Sequence, residues 1–437
     1  MRILRRGVFS LVLLVSLILL AGCGQQKATP EDTKKDGKTS EKAPVVIGVP
    51  TALGSIEGAD SLRAVQLAVE EVNTNGGVSV AGEKRPLKVV SIDTREHEPG
   101  LPVHDALAAI EKLITQEKPH AILVGSFRSE VLLSAMDLIG KYKIPNIVSI
   151  AMSPKFQEKL GSNYDLYKYN FRMGFNSAYL VNYIADTIDT IGKEHGFKKV
   201  YFVHQEAMWA EGTASGLKKV LEAKGWTIVG KDAYPTGASD FSSSLTKARD
   251  GGAQIIVPVF DMPQSGILLK QARSMQVPAL MVGFISPAIA ESAWKTFEGE
   301  VDGLINFPHE IGPIAVKAVP KSITFNENYG KKFGEEARSK LSGHGPGPAY
   351  DSVYALVAAI EKAGSLDADA IVNALKQTDM EGVIGRIKFN DKHQVVYGYD
   401  PKETAIGAAF QWVDGKRIPV FPQAAAEGKI QLPAYMK

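Results

Sequence analysis

Val45-Val46-Ile47-Gly48-Val49, then Leu62, Val65, Val69 and Val72, then Gly76-Gly77, then Leu87-Lys88-Val89-Val90-Ser91-Ile92-Asp93 decide the fold between them. The first run is short and β-branched, which suits a buried strand. Over residues 60–73 the apolar side chains recur three and four apart behind Asp60, a candidate N-cap, and the paired glycines stop that helix. The last piece is again strand-like. The stretch therefore reads as strand, helix, strand, one βαβ unit of a parallel sheet.

Working outward, the alternation continues. Strand-like runs fall at 121–125 and 146–150, and the grammar restarts at 199–204, 254–260 and 279–284, with helical spacing over 176–191, 211–223 and 264–275. An α/β architecture of two doubly wound parallel-sheet lobes follows from that restart. The last third departs from the pattern: helical spacing at 323–341, 349–362 and 367–376 precedes β-rich runs at 383–389, 394–399 and 408–413. These pieces either form a third lobe or complete the two already begun.

Composition narrows the function. With 437 residues the chain is too long for one small module. Fifty basic side chains against 48 acidic ones leave a formal net charge of +2, so the basic excess that nucleic-acid binding needs is missing. No nucleic-acid partner is expected. At the N-terminus, Arg2, Arg5 and Arg6 precede an apolar run ending at Leu20. That run falls short of the ~20 apolar residues of a spanning helix, so residues 1–22 read as a secretory signal. Cys23 is the single cysteine, which leaves no intramolecular disulfide to form. Leu20-Ala21-Gly22-Cys23 resembles the bacterial lipobox, which implies lipidation of Cys23 and a protein anchored by lipid to the membrane, outside the cytoplasm. Residues 23–43 are polar, with little to bury, and are expected to be a flexible tether.

In open parallel sheets, ligands bind at the carboxyl ends of the strands. Here those ends are 50–58, 125–129, 150–154, 205–212, 260–264 and 284–287. Ser129 either holds a ligand carboxylate with the free N–H groups of its helix or simply caps that helix. Arg128 either pairs with a carboxylate or is a solvated surface arginine, and Trp209 is either a ligand wall or ordinary packing. The chain has no H-E-x-x-H, no G-x-S-x-G and no cysteine cluster, so catalysis, a metal site and a cofactor are all not expected. An envelope hydrolase is disfavoured for the same reason. Gly343-His344-Gly345-Pro346-Gly347 follows no strand and reads as a connecting turn.

Further stretches carry a resemblance. They are Leu67-Ala68-Val69-Glu70-Glu71-Val72-Asn73 with Asn75-Gly76-Gly77, Gly125 and Ser129, Ile144-Pro145 leading to Ser153-Pro154, and Gln271-Ala272-Arg273. The strongest is Ala349-Tyr350-Asp351-Ser352-Val353-Tyr354 with Ala358-Ala359-Ile360-Glu361-Lys362-Ala363-Gly364-Ser365, and Gly382, Gly385 and Phe389 complete the set. In this order the chain resembles the type I periplasmic binding proteins, in particular the branched-chain amino acid receptors of ABC importers. The resemblance implies crossings between lobes near residues 168, 310 and 400. One lobe would be 44–167 plus 311–399 and the other 168–310 plus 400–437, joined by a three-strand hinge. It further implies a monomer that closes on a small-molecule solute and delivers it to permease and ATPase subunits on other chains. A ligand-sensing envelope lipoprotein of the same fold is the alternative.

The resemblance also places ligand-binding residues. Ser129 stands where the family's serine binds the ligand carboxylate, and Trp209 where an aromatic covers the ligand. Ile150 falls in a slot that contributes backbone, and Met152 where a threonine commonly binds. Ile285 falls where an acidic residue would meet the ligand's ammonium, and Glu57 near the family's usual tyrosine. A buried ammonium without counter-charge is costly. Either Asp261 or Glu57 supplies that charge or the ligand has no α-amino group. The second is preferred, giving a small carboxylate- or amide-bearing solute with a branched-chain amino acid as the specific alternative.

Overall fold

The computed structural model describes residues 42–341 and 343–436. The signal segment, Cys23 and nearly all of the tether lie outside the described residues. From Lys42 onward the chain is one compact unit.

The first sheet is the βαβ unit extended. Strand β1 is Val45–Thr51, a small hairpin β2 (Val78–Val80) and β3 (Glu83–Arg85) follows, and then come β4 (Leu87–Asp93), β5 (Ala121–Val124), β6 (Asn146–Val148) and β7 (Asn170–Arg172). Their order is β4-β1-β5-β6-β7, all parallel. Strands β5 and β6 are buried along their whole length, as a sheet covered on both faces requires. Helix α1 (Ile56–Thr74) leads back from β1, α2 (Val103–Glu117) from β4 and α3 (Ser129–Tyr142) from β5. Helix α1 begins earlier than its periodicity suggests. Its N-cap is Ser55, whose Oγ accepts the Gly58 N–H at 2.9 Å, whereas Asp60 lies inside the helix and accepts the Tyr329 hydroxyl at 3.0 Å.

The second sheet starts with β8 (Lys199–Gln205), β9 (Thr227–Tyr234), β10 (Ile255–Phe260), β11 (Leu280–Ile285) and β12 (Ile305–Glu310). These strands run parallel in the order β9-β8-β10-β11-β12. The remaining strands are β13 (Asp379–Gly382), β14 (Gly385–Lys388), β15 (Tyr397–Gly398), β16 (Ala405–Val413) and β17 (Lys416–Phe421). Strand β16 joins β12 antiparallel, and β17, β14 and β15 pair with β16.

The last third thus adds to both sheets. The helix Pro346–Ala363 packs on α1, beside Pro320–Phe333 and Ala368–Leu375, while β13 to β17 extend the second sheet. Two details differ from the expected lobe limits. Strand β7 pairs with β6, so the first sheet runs to Arg172, past the break expected at 168, because Asn170 to Arg172 continue the parallel register of Asn146 to Val148. Strands β13 to β15, expected with the first lobe, reach the second sheet through β16, while the bridge of Gln394 to Arg172 ties them to the first.

Candidate ligand-binding site

The carboxyl ends of β1, β5 and β6 face those of β8, β10 and β11 across a narrow cavity. It is lined by Glu57, Phe127, Ser129, Ile150 and Met152 from the first-sheet side, by Trp209, Asp261, Phe284 and His309 from the second, and by His344. A wider cleft continues outward past Glu57, Phe127, Ser129, Trp209 and Asp261.

The first wall is made by strand ends. Val124 and Gly125 turn with positive φ (69° and 68°), which throws Phe127 and Ser129 across the sheet edge into the cavity. Glu96 holds that turn: its Oε2 accepts the Arg128 N–H at 2.6 Å and its Oε1 the Thr94 hydroxyl at 2.8 Å. Burial pushes the Glu96 carboxyl up to about 7. Ser129 does not cap α3. The N-cap is Arg128, and the Ser129 Oγ, in a residue 2 % exposed, has no hydrogen-bond partner among the described residues. Arg128 does not reach the cavity, because its guanidinium donates to the Leu101 carbonyl at 2.9 Å and lies 3.3 Å from Glu130. Behind Ile150 and Met152, the buried Arg172 donates to the Ser153 carbonyl at 2.6 Å and to the Gln394 Oε1 at 2.5 Å, fixing the loop that carries them.

Glu57, in the first turn of α1, is 1 % exposed and accepts the hydroxyl of Ser286, which follows β11. That bond joins the two sheet systems directly. Burial, with the nearby Asp261 charge, raises the Glu57 carboxyl to about 7. Asp261 is partly exposed, and burial is the main cause holding its carboxyl above the usual range, against the lowering effect of Gln205, His344 and Trp209. Ile285 does not line the cavity. Side chains alternate along β11, so Phe284 points in, and the backbone of Ile285 is tied to Asn306 at 3.0 and 2.9 Å.

The remaining wall comes from segments that cross between lobes, and sequence reading missed it. His309, the last residue but one of β12, follows a register shift against β16 and has φ 66°, unusual for a residue with a Cβ. Its ring stacks edge-on against Phe284 (4.2 Å between centroids) and tilts against His344 (4.5 Å). Both His309 ring nitrogens lack partners among the described residues, and burial, with the neighbouring His344, keeps the imidazole far below its usual range, hence neutral. Glu310 accepts the Phe175 N–H and sets its other oxygen 3.6 Å from the His344 Nδ1, an ion-pair separation rather than a hydrogen bond. Burial lowers His344, but the charges of Glu310, Glu57 and Asp261 outweigh it and lift the imidazole above its ordinary range.

The turn expected at Gly343 to Gly347 is thus part of the site. Gly343 and Gly345 have positive φ (75° and 103°), and a Cβ on them would lie 2.7 Å from the Glu57 Cγ and 2.7 Å from the Ser61 Oγ. Only glycine lets this loop press His344 between α1 and β12. The flanking glycines were the one local signal of a close approach.

Two sheet systems meeting over a lined cavity, joined by crossing strands, define a bilobal binding protein. A family model described as periplasmic binding protein matches residues 44–400. The chain belongs to this family, as a type I periplasmic binding protein, and the family is one of binding proteins rather than enzymes. Among similar proteins is the Leu/Ile/Val-binding protein homolog 8 of Brucella melitensis, 25% identical over 391 residues, 86% of this chain and 89% of that protein. A putative branched-chain amino acid ABC transporter protein of Silicibacter pomeroyi superposes with a TM-score of 0.75 at 17% identity, covering 90% of this chain and 100% of that one. The ABC transporter solute binding protein from R. palustris in complex with benzoate superposes with a TM-score of 0.69 at 16% identity, covering 89% of this chain and 99% of that one. Among the described residues no helix is long and apolar enough to cross a membrane.

Proposed function

We propose that this protein is the solute receptor of an ABC importer, held outside the cytoplasm by a lipid on Cys23, and that it captures a small amino-acid-like or carboxylate- or amide-bearing solute by closing its lobes. The observation that carries this reading is a cavity lined from both sheets in which the buried Ser129 hydroxyl and His309 imidazole have no hydrogen-bond partner among the described residues. Such groups cost stability unless something bonds them, and a solute between the lobes would do so. A ligand that touches both walls favours the closed arrangement by its differential affinity.

Of the two ligand alternatives, the presence of Glu57 and Asp261 in the lining supports the first, in which the site itself supplies a counter-charge for a nitrogen cation. The lipid anchor is tested separately: replacing Cys23 by alanine should release the chain from membranes, and a variant that stays membrane-bound removes the anchor. The receptor reading is tested by thermal shift against amino acids, organic acids, amides and amines. A true ligand at a hundredfold excess over Kd adds about 2.7 kcal/mol of apparent stability. Failure of every class to shift the transition would refute it.

A further inference from the structure

Two acid groups, Glu57 and Asp261, line the cavity, and burial together with their mutual proximity raises the Glu57 carboxyl. Behind them Glu310 faces His344, so the positive end left for the lining acids is the N-terminus of α3, equivalent to about half a positive charge. The arginine nearest in sequence, Arg128, is turned to Leu101 and Glu130, and among the described residues no lysine lines the cavity.

We propose that the solute of this cavity carries net positive charge, at least one basic nitrogen more than it has carboxylates. The proposal rests on the receptor reading above and names its substrate class. A zwitterion would offer a cation to only one of the two acids, and the other would have to stay protonated to remain buried. A second basic nitrogen removes that requirement. The unpartnered Ser129 Oγ and His309 nitrogens supply the hydrogen bonds that orient the solute. Phe127, Trp209 and Phe284 line the cavity with aromatic rings, whose faces attract cations.

Calorimetric titration of the full chain tests this with leucine, 3-methylbutylamine and 4-methylpentanoate, which share a skeleton and differ in charge, and with lysine and arginine as ammonium and guanidinium forms. A cation of this set should bind at least tenfold more tightly than 4-methylpentanoate and leucine. Glu57→Gln and Asp261→Asn should each weaken that cation at least tenfold, while Glu111→Gln, on the outer face, should not. Asp261→Asn keeps the test valid should Glu57→Gln misfold. Tighter binding of leucine or 4-methylpentanoate than of every cation, or cation affinity unchanged in both variants, overturns the proposal and leaves the receptor reading standing. No binding by any of these probes, together with a blank thermal-shift screen, overturns both.

Discussion

The two walls of the cavity are built by different rules. The wall carrying Ser129, Ile150 and Met152 sits at the carboxyl ends of parallel strands, where the sheet's geometry alone aims residues at the interlobe space. The wall carrying His309, Glu310 and His344 comes from chain that passes between the lobes, and its residues are held by one another. The lesson is that the first wall can lose a side chain without losing structure, whereas the second is part of what holds the lobes in register.

The largest expected effect probes the second wall. Glu310→Ala removes the acceptor of the Phe175 N–H and the partner of His344, leaving a buried donor and a buried cation unsatisfied. Breaking a buried pair in this way costs about 3 kcal/mol, and denaturant unfolding should register it. A loss below 1 kcal/mol would erase the contrast between the walls.

Next in size is Glu57→Gln, with the opposite sign. Folding raises this carboxyl from 4.5 to about 7, so the folded chain holds the proton more tightly. The cost of the ionised form is absent below pH 4.5 and fully felt above pH 7. Glutamine mimics the protonated form, so the unliganded variant should be more stable than the parent by up to about 3 kcal/mol at pH 8, with the difference vanishing near pH 4.5. Thermal unfolding at both pH values checks it. Equal differences at the two would mean that the gain is not electrostatic.

The smallest effect on stability belongs to the first wall. Because the Ser129 Oγ has no hydrogen-bond partner among the described residues, Ser129→Ala should leave stability within about 0.5 kcal/mol and still weaken the solute about tenfold, the value of one lost hydrogen bond. Paired unfolding and titration separate the two readouts. Destabilisation without loss of affinity would return Ser129 to a structural role.

The same division explains what could be read from the chain. The doubly wound architecture was legible because strand and helix periods alternate plainly; Ser129 and Trp209 stood out at strand ends, Glu57, Ile150, Met152 and Asp261 came only through the resemblance, and all six line the cavity. Arg128 and Ile285 were placed one residue from the side chains that line the cavity, Phe127 or Ser129 and Phe284, since alternation along a strand or the pitch of a turn decides which neighbour points inward. His309 and His344 are far apart in sequence, and no local pattern announces that an antiparallel strand and a glycine-flanked loop will stack two imidazoles. Long-range pairing carries no periodic signal.

Small-angle X-ray scattering of the full chain, alone and saturated with the tightest-binding probe, tests the central claim most directly. Closure of two lobes over the Glu57 to His344 cavity predicts a smaller radius of gyration in the bound state, and an affinity lost in Trp209→Ala together with that compaction. A radius unchanged at saturation would contradict it.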